Sequence, residues 1–152
     1  MATPQFGAPE PGLPYPDRPA AFVLLEHQGR IACVRVAWRR GGPKVDLPGG
    51  GLDPGESHAE AAVRECGEEA GLKVLVEAEA FVRADHYFIN DEGASNNTRG
   101  LFFTARLVGE DPALKIEDDH SLVWLEPIEA LRVLDRDSHA WAVAAWLRRS
   151  AI

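Results

Sequence analysis

Between Leu47 and Leu72 the chain joins a tight glycine-rich loop to one short helix, and this pairing restricts the fold more than any other stretch. The loop runs Leu47-Pro48-Gly49-Gly50-Gly51-Leu52-Asp53-Pro54-Gly55-Glu56. Glycines, with no Cβ in the way, let main-chain amides and carbonyls come close to an ion or a phosphate. Ser57 and Glu60 have capping-box spacing and Gly71 is placed as a stop, which predicts a helix over Ser57 to Ala70. Ala59, Ala62, Val63, Cys66 and Ala70 recur at helical spacing and predict one apolar stripe against a core.

Glu65, Glu68 and Glu69 share that period on a different face, within an arc of roughly 100°. Their mutual repulsion costs a few tenths of a kcal/mol per pair, roughly. They also lie toward the helix C-terminus, where the dipole disfavours negative charge. Hard divalent cations reverse that electrostatics, because carboxylate oxygens are their preferred ligands. The competing reading of the helix alone is a solvated acidic face, with Arg64 as an i,i+4 partner of Glu60 or Glu68.

Loop and helix together resemble the Nudix family, whose box is G-x5-E-x7-R-E-U-x-E-E-x-G-U with U a bulky apolar residue. Gly50, Glu56, Arg64, Glu65, Glu68, Glu69 and Gly71 occupy its seven fixed positions. Chance agreement is on the order of 10⁻⁹ per window, given several per cent usage for each residue type. Cys66 stands at an apolar position and still serves as a small hydrophobe, and Val45 stands where many members have Trp.

The resemblance implies metal-dependent hydrolysis of a diphosphate linkage in a nucleoside diphosphate derivative. It assigns Mg²⁺ or Mn²⁺ to Glu65, Glu68 and Glu69, with help from the Gly49 or Gly50 carbonyl. Glu65 or Glu68 would be the general base, Arg64 would orient the carboxylates, and Glu56 would brace the loop or a metal-bound water. Downstream, Glu117-Asp118-Asp119-His120 precedes Val123-Trp124-Leu125, where members often carry one more acidic residue. Asp119 or Glu117 is the expected extra ligand or base, against a solvated acidic turn.

Outside the box the chain reads as one domain. Six of the eleven prolines fall within residues 1–19, which predicts an extended arm, an edge strand or a cover for a partner subunit. Ala20 to Leu25 and Ile31 to Trp38 predict strands joined by a hairpin at His27-Gln28-Gly29-Arg30. Val74 to Phe88 predicts one or two strands, Asn90 to Thr98 a polar loop, and Leu101 to Val108 and Leu122 to Leu125 further strands. Pro127 to Leu134 and Ser138 to Arg149 predict short helices. This order predicts an α/β (α+β) fold in which a mixed sheet is sandwiched between helices, as the resemblance also implies for residues 20–152.

The formal net charge of −8 argues against a nucleic-acid backbone or an anionic membrane as the main partner. Against a polyphosphate the same charge would need bound cations to offset it. No apolar run of membrane-spanning length and no basic-then-apolar leader is present, so a cytoplasmic location is expected. Cys33 and Cys66 sit in apolar segments and predict reduced core thiols. Homodimers are common in the family the chain resembles, and the arm could contribute to one.

Substrate choice is the least legible property. A small-molecule nucleotide needs aromatic stacking and amide hydrogen bonds, so Tyr87, Phe103 and Asn97 are the leading candidates. Phe88, Phe102 and Asn96 follow, with His86 and His120 as further contacts and the 90–98 loop as a lid. The proline typical of ADP-ribose pyrophosphatases is replaced by Tyr87, and the NADH pyrophosphatase signature is absent. A compact (d)NTP pyrophosphohydrolase, MutT-like, ranks first, ahead of dinucleoside polyphosphate, ADP-ribose or NDP-sugar hydrolysis. RNA 5′-end pyrophosphohydrolysis would want a basic track. A catalytically silent ligand sensor would tend to lose box carboxylates, and this chain keeps them all.

Overall fold

The computed structural model describes residues 2–150. In chain order the elements are β1 (Gln5–Phe6), β2 (Asp17–His27), β3 (Arg30–Val36), β4 (Lys44–Asp46), β5 (Gly49–Gly51) and α1 (His58–Ala70). They continue with β6 (Leu72–Val76), β7 (Val82–Ile89), β8 (Ser95–Glu110), a 3-10 turn (Pro112–Leu114), β9 (His120–Leu125), α2 (Pro127–Val133) and α3 (Asp137–Ser150). The strands form a mixed sheet along the path β1-β7-β8-β2-β3-β4, with β5 on β2, β6 on β8 and β9 on β3. The β2–β8 and β1–β7 pairs are parallel and the others antiparallel.

β2 explains the layering. Its residues 20–25 are an unbroken apolar run because both faces are covered. Ala21, Val23 and Leu25 enter one core with Ala61, Ala62 and Cys66 of α1. Ala20, Phe22 and Leu24 enter the other with Ala130 of α2 and Ala142 and Val143 of α3. Strand period two thus sorts one segment into two cores, giving the α/β/α sandwich. Both cysteines are buried and free. No helix among the described residues is long and apolar enough to cross a membrane.

The β2–β3 hairpin turns at Gln28 (φ 53°) and Gly29 (φ 79°), the left-handed pair of a type I′ turn. Ser57 caps α1 and exchanges the reciprocal bonds of a capping box with Glu60. Gly71 ends α1 at φ 67° and donates its N–H to the Gly67 carbonyl.

Several sequence expectations need correction. Val63 was expected on the buried stripe of α1 but is 40% exposed, since the face that meets the sheet is rotated away from it and runs through Ala61, Ala62, Cys66 and Ala70. β2 begins at Asp17, inside the proline-rich segment, while Gln5–Phe6 forms an edge strand on β7, one of the alternatives expected there. The polar loop shrinks to the turn 90–94, where the Asn90 side chain accepts the N–H groups of Glu92 and Ala94. Ser95 to Thr98 extend β8 instead. The side chains of Asn96, Asn97 and Thr98 become buried, and they are satisfied locally: Thr98 donates to Asn96, and Asn97 pairs amide to amide with Gln5.

Candidate active site

The glycine loop is laid directly on the central strand. β5 pairs antiparallel with β2, and Val23 N–H donates to the Pro48 carbonyl. Gly49 adopts φ 149°, and a Cβ there would lie 2.2 Å from the Ala21 carbonyl oxygen, so only glycine fits. At Gly50 a Cβ would instead face the Glu65 carboxylate, 3.0 Å from Oε1. The loop therefore presents its backbone to the carboxylate face of α1.

Arg64 is the hub of that face. Its Nε and Nη2 donate to the two carboxylate oxygens of Glu56 at 2.8 and 2.9 Å. Its Nη1 donates to Glu65 Oε1 at 3.0 Å and Glu68 Oε2 at 2.9 Å, and Nη2 reaches the Gly51 carbonyl at 3.1 Å. The Arg64 fork holds the Glu56 carboxyl down at about 2. Glu65 goes the other way. Burial and then the neighbouring Glu69 push it up to about 7, against the opposing pull of Arg64.

A second chain of contacts runs through Glu69, which is 6% exposed. Its Oε1 accepts the Gly49 N–H at 2.8 Å, and its Oε2 lies 3.0 Å from His120 Nε2. His120 Nδ1 in turn lies 2.8 Å from Asp119 Oδ1. Burial disfavours a charged His120, but the two flanking carboxylates outweigh it and push the imidazole up to about 9. This downstream segment is docked on the helix: Ile116 and Glu117 both donate their N–H to the Glu68 carbonyl at 3.0 Å. That carbonyl belongs to the last turn of α1, where intrahelical donors run out. Donor atoms of Glu117, Asp119 and His120 consequently lie within 4.8 Å of one another.

Glu65 of the first set and Glu69, Glu117, Asp119 and His120 of the second line one cavity of about 310 Å³. Its lining combines Gly49, Gly50, Glu65, Glu69, Glu117, Asp119 and His120 with Trp38, Phe88, Asp46 and Arg136. Glu68 and Arg64 lie on an adjoining groove with Arg18, Glu65 and Glu117. A larger depression of about 780 Å³ lies at Glu77 to Phe81 and Trp146 and holds none of the box residues.

The leading substrate candidates fall elsewhere. Tyr87 packs edge-on against Tyr15, Asn97 spends its amide on Gln5, and Phe103 is buried under α1. Phe102 fills the opposite core against Phe22 and His139, and His86 meets Ser138. Of the aromatic candidates Phe88 lines the cavity, one residue from Tyr87 and therefore on the other face of β7. Trp38, Asp46, Arg136 and Arg18 were not anticipated. Asp46 alone carries a signal, a single charge between Val45 and Leu47 in a strand.

The Nudix domain family model matches residues 15–147. The chain belongs to the Nudix family. A relative named RNA pyrophosphohydrolase, from Novosphingobium aromaticivorans, is 34% identical over 132 residues, covering 76% of this chain and 80% of that protein. A Bacillus subtilis protein named putative 8-oxo-dGTP diphosphatase is 44% identical over 59 residues, 39% of this chain and 38% of that protein. A solved Nudix hydrolase from Nitrosomonas europaea superposes with a TM-score of 0.71 at 20% identity, covering 87% of this chain and 89% of that one. The Nudix chain is thus a hydrolase of phosphoric anhydrides, a pyrophosphohydrolase in class, with the family's full box in place.

Proposed function

We propose that this Nudix hydrolase cleaves a nucleoside triphosphate to the monophosphate and pyrophosphate, with Mg²⁺ or Mn²⁺ as cofactor. The observation that carries the reading is the cavity's lining: box carboxylates and loop glycines together with the aromatic side chains Trp38 and Phe88. Such a lining suits a polyphosphate joined to a base.

The donor set fits a hard divalent cation. Glu65, Glu68 and Glu69 offer carboxylate oxygens from one helix face, beside the backbone of Gly49 and Gly50, and Gly50 leaves open the space that a Cβ would fill. Asp119 or Glu117 would supply a further ligand. When bound, such cations polarise phosphate oxygens and lower the pKa of the attacking water. The chain's own residues do the rest. Arg64, fixed by Glu56, sets the rotamers of Glu65 and Glu68. His120 and Asp119 hold Glu69 in place. Glu65 or Glu68 accepts the proton of the attacking water, and Trp38 and Phe88 position the base.

A second reading is removal of pyrophosphate from a 5′-triphosphorylated RNA, favoured by the relative at 34% identity that bears that activity in its name. The same linkage is cut, but a longer polymer must be held against a net charge of −8.

The test is a panel of nucleoside triphosphates (oxidised ones included), dinucleoside polyphosphates, ADP-ribose, NDP-sugars and a 5′-triphosphate oligoribonucleotide, with and without Mg²⁺ or Mn²⁺. Glu68→Gln is the control. Metal-dependent release of pyrophosphate from free nucleotides, lost in the control, is the expected result. Preferential turnover of the oligonucleotide would move the function to RNA ends. Tight binding without cleavage of any compound would overturn both readings.

A further inference from the structure

Asp46 is a carboxylate with no donor within hydrogen-bond reach among the described residues. It ends β4 at 8% exposure, and its Oδ1 is buried without a hydrogen-bond partner among the described residues. Arg136 Nε stands 3.6 Å away, too far for a hydrogen bond, and is itself buried and unpartnered. His139 Nδ1 stands 4.0 Å away, but it accepts the Leu47 N–H and has no proton to give. Buried polar groups are normally satisfied, and an unpaired buried charge is strongly disfavoured. Asp46 and Arg136 offset one another's charge at 3.6 Å but make no hydrogen bond, so a donor and an acceptor stay unused side by side.

Both groups border the cavity that the Nudix carboxylates Glu65 and Glu69 also line. The Arg136 guanidinium lies over the Phe88 ring at 3.8 Å, which fixes its plane. Trp38 stands edge-on to the same ring, with centroids 5.9 Å apart. Flat apolar surface and an unsatisfied donor and acceptor thus meet at one place, as a purine site requires.

We propose that Asp46 and Arg136 are the base-reading pair of this chain, and that the base they take is guanine. The inference rests on the reading of the cavity as a nucleotide site. An ionised carboxylate only accepts, and its two oxygens ask for two adjacent donors. Guanine places N1–H and N2–H2 side by side, with the O6 acceptor next to them for Arg136. Adenine turns its N1 lone pair toward that edge and would repel Asp46. Hypoxanthine keeps N1–H and O6 but lacks the 2-amino donor. Xanthine replaces that donor with an acceptor. The pyrimidines offer at most one ring N–H beside a carbonyl. Two buried groups with no hydrogen-bond partner among the described residues become satisfied together by one edge of one base.

The test is equilibrium binding of GMP, IMP, XMP and AMP to the protein without metal, followed by kcat/KM for the matching triphosphates with Mg²⁺. GMP is expected to bind more tightly than IMP by about 10- to 100-fold, with AMP and XMP weaker still. In Asp46→Asn the amide accepts N1–H and donates to the 2-keto oxygen, so the order of GMP and XMP reverses. Arg136→Gln weakens GMP and IMP alike and leaves their ratio unchanged, because both present O6. Should Asp46→Asn fail to fold, the GMP-to-IMP ratio of the unmodified protein decides alone. Equal binding of the two, or no binding of any monophosphate, overturns the proposal and leaves the pair a packing role ahead of α3. GMP selection without cleavage of any triphosphate would sink the triphosphate reading yet leave the base-reading pair standing. Equal cleavage of all four triphosphates would do the reverse.

Discussion

Arg64 grips Glu56 with two parallel hydrogen bonds, Nε to Oε2 at 2.8 Å and Nη2 to Oε1 at 2.9 Å, across the turn that leads into α1. The bidentate fork leaves Nη1 free to reach Glu65 and Glu68, so one side chain ties the loop to the carboxylate face. Lysine keeps the charge but cannot make the fork. Arg64→Lys is expected to lower metal affinity and kcat by about 10- to 100-fold. A metal titration of activity alongside thermal melting checks this, and wild-type metal affinity in the variant would show that the fork is only structural.

Gly49 and Gly50 are neighbours with different tasks. A Cβ at Gly49 meets the Ala21 carbonyl at 2.2 Å, so Gly49→Ala is expected to destabilise the fold by ~2–5 kcal/mol. At Gly50 the nearest atoms belong to the Glu65 side chain, which can move, so Gly50→Ala should fold and lose metal binding and activity instead. Chemical denaturation separates the two. Equal stability losses would refute the division.

Trp38 and Phe88 are expected to hold the base rather than to act on the phosphates. Base stacking is worth about 1–3 kcal/mol per base, so Trp38→Ala or Phe88→Ala should raise KM roughly 5- to 100-fold and change kcat little. A kcat loss at unchanged KM would place these rings outside the substrate site.

His139 is 1% exposed, among Phe22, Phe102 and the Leu47 N–H. Burial, then the charge of Arg136 and then His86, keep its pKa well below the ordinary histidine value. Asp46 faces it at 4.0 Å but does not offset the burial. The unfolded chain therefore binds a proton that the folded chain refuses, and stability is present above the unfolded histidine pKa of about 6.5 and falls as pH drops below it. The slope from this one group is at most about 1.4 kcal/mol per pH unit. His139→Asn should be less stable at pH 7.5 yet lose less on going to pH 5, as melting curves at the two pH values would show. Identical acid slopes would remove His139 as the cause. Glu65 and Asp46, raised by burial, act in the opposite sense and are common to both proteins.

The sequence by itself determined what depends on short spacing. The capping box at Ser57 and Glu60, the Gly71 stop and the Gly50-to-Leu72 pattern lie within a few turns, so local hydrogen bonding and helical period fix them wherever α1 packs. The hairpin at Gln28-Gly29 was legible for the same reason. The tertiary structure decided which side chains share the cavity. Tyr87 and Phe88 are adjacent in sequence and both aromatic, and only the register of β7 on β8 puts Phe88 inside and Tyr87 against Tyr15. Arg136, ninety residues from Asp46, carries no local signal, and the packing of α3 on the sheet brings it there. Asn97 looked available for a ligand until β1, added to the sheet edge, took its amide. Local patterns set which residues could do chemistry, and long-range strand pairing set which of them meet, because burial of a side chain depends on neighbours that sequence spacing does not specify.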